Sequence, residues 1–428
     1  MIESVDQLYH IFLECSGVST DSRRIDPDCL FVALRGPNFN ANEFAQGAIE
    51  HGARYALVDQ EEYLDGPHIL QVKDGLMALQ QLAQHHRSQL KIPLIGITGS
   101  NGKTTTKELT FQVLSTSYKT MATQGNLNNH IGVPLTILSI KHDTEIAIIE
   151  MGANHIGEIA RLCQIAQPTH GLITNIGQAH IEGFGGFDGV IRGKSELYQY
   201  LIKNGGQVFI NSQDEILKNM AKRFEQPLFY PGEGDFLHIN YTRSDPYLNI
   251  IGERSLEIET QLIGSYNFNN VAAALCVAKY FEVPTELAEA AVAEYVPTNN
   301  RSQVIQKGTN TLILDAYNAN PSSMMAALEN LLAMQSSAKT AILGDMMELG
   351  DESGEAHKKI VAYTRDGISQ VLLCGPHMRE ASKMNPLAKH FNDRNELERF
   401  LKQNPIINST ILIKASRSMG LEAVADFI

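Results

Sequence analysis

The sequence predicts an α/β protein of three domains, each built on a largely parallel sheet. Three observations predict it. Short apolar runs recur along the chain, each ending in polar or glycine residues, with helical segments between them. One run, IPLIGIT, leads directly into GSNGKTTTKELT, a passage that reads strand, glycine turn, helix. The length of 428 residues also suits two to four domains, at about 100–200 residues each.

Residues 1–90 form the first unit. LFVAL (30–34), YALVD (55–59) and HILQV (68–72) read as strands, and EFAQGAIEHG (43–52) as a helix. DGLMALQQLAQHHRSQL reads as a second helix, running up to Pro93. The middle unit, 91–296, opens with IPLIGIT and continues with EIAIIEMG (145–152), HGLITNI (170–176) and QVFINS (207–212) as buried strands. GSYNFNNVAAALCVAKYF follows as a helix rich in small residues, and VPTNNRSQ, with Pro297 and an asparagine pair, as a linker. In the third unit, 297–428, TLILDAYNANP, KTAILGDMMELG, VLLCG and STILIKAS supply four strands of a Rossmann-like domain. No GxGxxG turn follows any of them, so a dinucleotide site is not expected there. No repeat of solenoid period is present.

Acidic residues outnumber basic ones 48 to 35, a formal net charge of −13. That balance argues against a nucleic-acid partner, which would want a basic face. It leaves room for anionic small substrates in a locally basic pocket. Cys15, Cys29, Cys163, Cys276 and Cys374 are scattered, with no CxxC pair, and read as reduced core thiols of a cytoplasmic protein. MIESVDQLYH lacks the apolar run of a signal peptide, and no stretch approaches the about 18 apolar residues of a membrane span.

The glycine turn is the strongest chemical signal. Successive backbone N–H groups and a helix N-terminus face an anion there, and a lysine reaches the terminal phosphates. Strict Walker spacing would put glycine at 97, where the chain has Ile97. The motif is the shorter GxxGKTT, with Gly99, Gly102, Lys103, Thr104 and Thr105, and a hydroxyl after the lysine can bind Mg²⁺. A glycine turn without a ligand is the alternative.

Other candidates follow strands. Glu150 ends EIAIIEMG, where α/β sheets place ligands and a carboxylate can hold Mg²⁺. A surface acid is the plainer reading. His180 lies in the loop QAHIEGFGGF, and a lone histidine is as readily structural. In GVIRGKSELYQYLI, Val190, Lys194, Leu197 and Leu201 share one helical face, so Lys194 stands inside an apolar stripe. It either snorkels to solvent or has a special role, since a buried ammonium is costly. GNLNNHIGVP holds Asn126, Asn128 and Asn129 in a loop, and DAYNANP holds Asp315, Asn318 and Asn320 after a strand. Amides suit peptide, sugar and base recognition, though each is also a common turn residue. Lys414, Ser416 and Arg417 close STILIKASRSMG and could bind a carboxylate or phosphate.

Taken together, TGSNGKTTTKE, GNLNNHIGVP, IEMGANHIGEIA, AHIEGFG, GKSELY, DAYNANPSSM, LGDMMELG and IKASRSM resemble the Mur ligase family, in order and through all three regions. VSTDSRRIDPDCLFVALRGPNFNANEF resembles the family's N-terminal uridine-binding domain, through Thr20, Asp21, Ser22 and Arg23. It departs where members commonly carry Asp and His, for here Asn40 and Asn42 stand in NANEF. The resemblance implies that Gly99, Ser100, Asn101, Gly102, Lys103, Thr104 and Thr105 bind ATP phosphates. It implies that Thr104 and Glu150 hold one Mg²⁺ and that His180 and Lys194 hold a second, the lysine being carbamylated. Asn267, Arg301 and Asp315 match positions that contact the nucleotide. Thr20, Ser22, Arg23, Asn126, Asn129, Asn318, Asn320, Lys414 and Ser416 match the substrate side.

The activity implied is ATP-dependent amide ligation of D-alanyl-D-alanine to UDP-N-acetylmuramoyl-tripeptide, by a cytoplasmic monomer with no nucleic-acid or membrane partner. The catalytic set would be Lys103, Glu150, His180 and Lys194, and the domains would close to shield an acyl phosphate. Within the family, the ligase adding the third residue is the rival. Its DNPR segment is absent here, and DAYNANP with LGDMMELG favours the dipeptide. The uridine-type first domain counts against folylpolyglutamate synthetase. A phosphate-loop switch protein that hydrolyses ATP slowly is the rival of another class.

Overall fold

A computed structural model of the chain describes residues 1–298 and 300–428. Asn299, half of the linker's asparagine pair, lies outside the described residues. In the first region four short strands, Val18–Ser19, Leu30–Val32, Tyr55–Val58 and Ile69–Gln71, pair in parallel in chain order. Helix Gly75–Gln89 follows, and it starts where the Asp74 carboxylate accepts from the Met77 N–H at 2.7 Å.

That helix ties the first region to the centre. Its Leu79 and Leu82 are fully buried in one apolar core with Leu8 and Phe12 on one side and Val133 and Ile137 on the other. Arg87, 4% exposed, donates to the carbonyls of Ala166, Gln167, Leu90 and Ile92. A guanidinium has five donors and no acceptor, so carbonyl-rich chain ends suit it.

The central sheet has six parallel strands. In spatial order they are Leu228–Tyr230, Gln207–Asn211, His170–Ile173, Leu94–Thr98, Ile146–Glu150 and Thr120–Ala122. Helices cover both faces, which is why LIGIT and IAIIE are continuous apolar runs rather than alternating ones. Chain direction across the sheet reverses beside Leu94–Thr98, which has Ile146–Glu150 on one side and His170–Ile173 on the other. Ligand crevices of α/β sheets form at such reversals.

A three-stranded antiparallel sheet, Asn240–Ser244, Tyr247–Ile251 and Glu257–Ile263, was not expected from the sequence. Its last strand alternates exposed and buried residues, and Ile258 and Leu262 pack with Ala288, Ala291 and Val292 of helix Thr285–Glu294. The C-terminal sheet carries the four expected strands, Asn310–Leu314, Thr410–Lys414, Lys339–Gly344 and Gln370–Cys374, in that spatial order. It gains Gln303–Lys307, antiparallel at one edge, and Ala388–Phe391 at the other. Among the described residues the five cysteines are free, and no helix is long and apolar enough to cross a membrane.

Leu82→Ala removes a fully buried side chain from the core shared by the first and central regions. We expect it to cost about 2–5 kcal/mol of stability, read as a lower urea midpoint. An unchanged midpoint would show that the two regions do not share a cooperative core.

Candidate functional site

The phosphate loop is fixed by its neighbours. Gly99 (φ 145°) passes so close to strand His170–Ile173 that a Cβ would lie 1.9 Å from the Thr174 hydroxyl. Gly102 (φ 78°) leaves no room either, since a Cβ would lie 2.4 Å from Asn270 Oδ1. Between them, the Ser100 N–H donates to the Asn175 carbonyl at 3.0 Å and the Asn101 N–H to Asn175 Oδ1 at 3.0 Å. The Asn101 carbonyl accepts from Thr174 Oγ1 and Asn175 Nδ2. Thr174, Asn175 and Asn270 are therefore site residues that the sequence reading missed.

Helix Lys103–Leu114 points its N-terminus at this loop. The Lys103 ammonium donates to the carbonyls of Gly99 (2.8 Å) and Ser100 (3.1 Å). Part of the Lys103 side chain reaches the surface while its amine lies deep, and desolvation there pushes the amine down from its usual range against the pull of Glu150. Thr104 Oγ1 donates to Glu150 Oε2 at 2.8 Å, and Asn128 Nδ2 to Oε1 at 2.7 Å. Glu150 is 1% exposed. A hydroxyl and a carboxylate so paired form an oxygen-only donor set, the kind that suits a hard divalent cation. Among the described residues no three His, Cys, Asp or Glu side chains converge as a metal cluster.

A cavity of about 950 Å³ opens in front of this loop. The central region contributes Ser100–Thr105, Glu150 and His180, and the C-terminal region Arg301, Asp315, Asn318, Asn320 and Lys414. Leu76, at the start of the first region's long helix, reaches it too. Among the described residues several polar contacts span the gap between the regions, including a 2.6 Å hydrogen bond between the Tyr266 and Ser302 hydroxyls. Asn320 Nδ2 donates to Asn101 Oδ1 at 2.7 Å, and the Glu348 carboxylate lies against His180 Nδ1. This contact holds the Glu348 carboxyl below its usual range.

Lys194 does not snorkel. Helix Phe187–Asn204 buries Val190, Lys194, Leu197 and Leu201 together, with Lys194 1% exposed. Its ammonium donates to the Ala153 carbonyl at 3.2 Å and stands 5.1 Å from the centroid of the Phe184 ring. Burial pushes its amine down from 10.5 to about 7, with Lys103 adding repulsion.

The remaining expectations divide. Asn267 is buried, donating to the Ile263 carbonyl and accepting from Asn270. Arg301 stacks on Tyr317, its Cζ 3.6 Å from the ring centroid, and its buried Nε is unpartnered among the described residues. Lys414 is spent on Asp315 Oδ2 (2.6 Å) and the Asn318 carbonyl (3.1 Å), so it braces the cavity wall rather than standing free for an anion. Ser416 does not line the cavity, because its hydroxyl accepts from the Met347 N–H at 2.9 Å. Asn126 is exposed away from the cavity wall, where Asn128 and Asn129 take its place. Thr20, Ser22 and Arg23 lie outside the cavity, and Arg23 pairs with Asp21 at 2.9 Å on the surface. Asn42 is buried and donates to Asn40 Oδ1 and Asp59 Oδ1, while the Asp59 N–H donates to Asn42 Oδ1. The two asparagines that depart from the family pattern thus form an internal network.

Comparison with known proteins gives a consistent result. The Mur ligase middle domain matches residues 97–278, and the Mur ligase, glutamate ligase domain matches residues 300–417. The chain is 35% identical to UDP-N-acetylmuramoyl-tripeptide–D-alanyl-D-alanine ligase of Escherichia coli, over 95% of this chain and 92% of that one. It is 34% identical to the Bacillus subtilis ligase of the same name, over the same shares. Among solved structures, MurF from Acinetobacter baumannii superposes with a TM-score of 0.87 at 30% identity, covering 99% of this chain and 98% of that one. MurF ligase from Thermotoga maritima, solved in complex with ADP, gives 0.86 at 25% identity over 97% of each.

Gly102→Ala forces a side chain into left-handed backbone and against Asn270. We expect ADP affinity to fall at least about tenfold, at 1.4 kcal/mol per decade, by calorimetric titration. Affinity like the wild type's would overturn the phosphate-loop assignment. Lys194 gives a pH signature. Between pH 7 and 10 the unfolded chain holds a proton on this amine that the folded chain has lost, so its contribution to stability rises with pH there. Lys194→Met should therefore gain on the wild type at pH 7, and the gap should narrow toward pH 10 in urea titrations. A gap independent of pH would mean that the buried amine is not perturbed.

Proposed function

The chain belongs to the Mur ligase family, and from that premise we propose that it joins D-alanyl-D-alanine to UDP-N-acetylmuramoyl-tripeptide at the expense of ATP. One observation carries the reading: a phosphate loop and a buried carboxylate–hydroxyl pair face the C-terminal domain across one cavity. The ATP phosphates rest on the N–H groups of residues 102–105 at the helix start, those of Ser100 and Asn101 being bonded to Asn175, with Lys103 released from its loop carbonyls to meet them. Thr104 and Glu150 would hold Mg²⁺, which lowers the charge of the phosphates when bound.

The tripeptide's terminal carboxylate attacks the γ-phosphorus, ADP leaves, and an acyl phosphate forms. The dipeptide's amine then attacks the acyl carbon, and the C–O bond to phosphate breaks. Two anions must meet in the first step, and Lys103 lowers that barrier electrostatically. His180 and Lys194 would serve a second Mg²⁺. Carbamylation of Lys194 is supported by an amine pushed to about 7, since a neutral amine is the form that takes up CO₂. Arg301, Asp315 and Asn267 would contact the nucleotide, and the cavity face with Asn318 and Asn320 the dipeptide. Thr20, Ser22 and Arg23 would hold the uridine end.

Phosphate release from ATP with Mg²⁺ tests the reading. It should require both the UDP-tripeptide and D-alanyl-D-alanine, and the product should be heavier by one dipeptide. Lys103→Met should lose at least about 10²-fold in kcat. Release indifferent to both substrates would replace the ligase with a switch ATPase. Product formed from a UDP-dipeptide and one amino acid would move the assignment to the preceding ligase.

A further inference from the structure

Two residues in contact across the domain gap both adopt backbone conformations that their side chains disfavour. His180 (φ 54°) and Glu348 (φ 63°) lie in the left-handed region, where non-glycine residues are uncommon and persist only when their surroundings hold them. His180 follows strand His170–Ile173 of the central sheet, and Glu348 follows strand Lys339–Gly344 of the C-terminal sheet. His180 Nδ1 is buried and lies against the Glu348 carboxylate in an ion-pair contact, but among the described residues it has no hydrogen bond of good angle to that or any other group. Among the described residues Glu348 has no other ion pair or hydrogen-bond partner for that carboxylate.

The loop that carries Glu348 is held on every side. The Met346 N–H donates to His357 Nε2 at 2.9 Å, and His357 Nδ1 lies 2.6 Å from the Ser353 carbonyl. The Met347 N–H donates to Ser416 Oγ at 2.9 Å. Asp345, fully buried, accepts from the Met378 N–H at 3.0 Å. Met346 and Leu349 are buried in the C-terminal core. Two consecutive amides captured by side chains of two other elements, between buried residues, leave the loop one path. That path ends with Glu348 on His180. Gly350 then passes against Glu182, where a Cβ would sit 3.3 Å from its Cγ.

We propose that Glu348 is a positioning residue: the C-terminal domain brings its carboxylate onto His180, where it holds the Nδ1 proton and leaves the Nε2 lone pair for the reaction cavity. A neutral imidazole has one donor and one acceptor nitrogen, and an ionised carboxylate only accepts. Opposite Nδ1, it selects the Nδ1–H tautomer. A histidine that must present a lone pair at a fixed angle commonly has such a partner on its other nitrogen. Here the partner belongs to the other domain, so the ring is fixed only when the two domains meet. The site would be finished by closure rather than before it. The ring's task in catalysis rests on the ligase reading, whereas the carboxylate–imidazole geometry does not.

The test uses the full chain, labelled with ¹⁵N-histidine, as wild type, Glu348→Gly and Glu348→Asn. Both replacements accept left-handed backbone, so the carboxylate is lost without straining the loop. His180 is assigned by its missing signals in His180→Gln. With ADP and the UDP-tripeptide bound, wild type should show the Nδ1–H form, and both variants a mixture of tautomers. In steady state the variants should lose about 10–100-fold in kcat while KM for ATP and for the dipeptide moves less than about threefold. An unchanged tautomer in both variants would overturn the proposal. So would a loss confined to KM for the dipeptide, which would make Glu348 a reader of its ammonium group. A wild type that fails to ligate would count against the ligase reading alone, and the tautomer comparison would still decide the role of Glu348.

Discussion

Charge buried where the domains meet is the constraint on which the site depends. An ion withdrawn from water costs several kcal/mol unless it gains partners in return. The seam holds several. Glu150 takes Thr104 from the phosphate helix and Asn128 from a separate loop. Lys103 turns to the carbonyls of its own loop, and Lys414 takes Asp315 and the Asn318 carbonyl. Each ion is satisfied by an element other than the one that carries it, or by the turn beside it. Within each domain the elements therefore cannot shift independently without stranding a charge, so each wall of the cavity keeps its own shape.

The two junctions of the central region differ in physical character. Toward the first region the contact is an apolar core through helix Gly75–Gln89, reinforced by the buried Arg87. Opening it would expose fully buried leucines. Toward the C-terminal region the cavity lies between the sheets, and the contacts at its rim are polar, among them Asn320 to Asn101 and Glu348 to His180, while Ile263 and Tyr247 add an apolar contact to the C-terminal core. Polar contacts can be exchanged for water at small net change. A ligase that must admit three substrates and then exclude water needs one junction that stays and one that yields. The polar rim of the second junction, with an apolar contact of only two residues behind it among the described residues, suits it to yield.

What could be read from the sequence follows from how local each signal is. The phosphate loop was legible because its glycines, lysine and hydroxyls are contiguous, and Lys194 because a helical period exposes a charge inside an apolar stripe. The strand at 257–263 was equally legible, since its buried and exposed residues alternate, but a search for buried parallel strands passes over that period. Other features were not local. Nothing in GNLNNHIGVP says which amide turns inward; the path of the loop gives Glu150 to Asn128 and leaves Asn126 outside. Lys414 and Ser416 are cavity-side residue types whose polar groups are consumed by Asp315 and Met347. The partner of His180 lies 168 residues downstream, and only the packing of two sheets brings it there.

Lys194 carries the argument furthest. An ammonium has three donors, and here it finds one carbonyl and an aromatic face. The two acids that pull on it, Glu158 and Glu196, are already committed. Glu196 accepts from the Gly157 and Ala160 N–H groups at the start of helix Glu158–Ala166, and Glu158 from those of Asn154 and His155. Lys103 adds repulsion from the other side. As an ammonium, Lys194 is under-satisfied and faces a like charge; as a neutral amine it loses both penalties. As the proposed carbamate it would offer oxygen acceptors and turn the repulsion from Lys103 into attraction. A lysine in this position thus makes physical sense as a precursor of an anion, and the helix that buries it among valine and leucine side chains shifts the amine toward the neutral form that such chemistry requires.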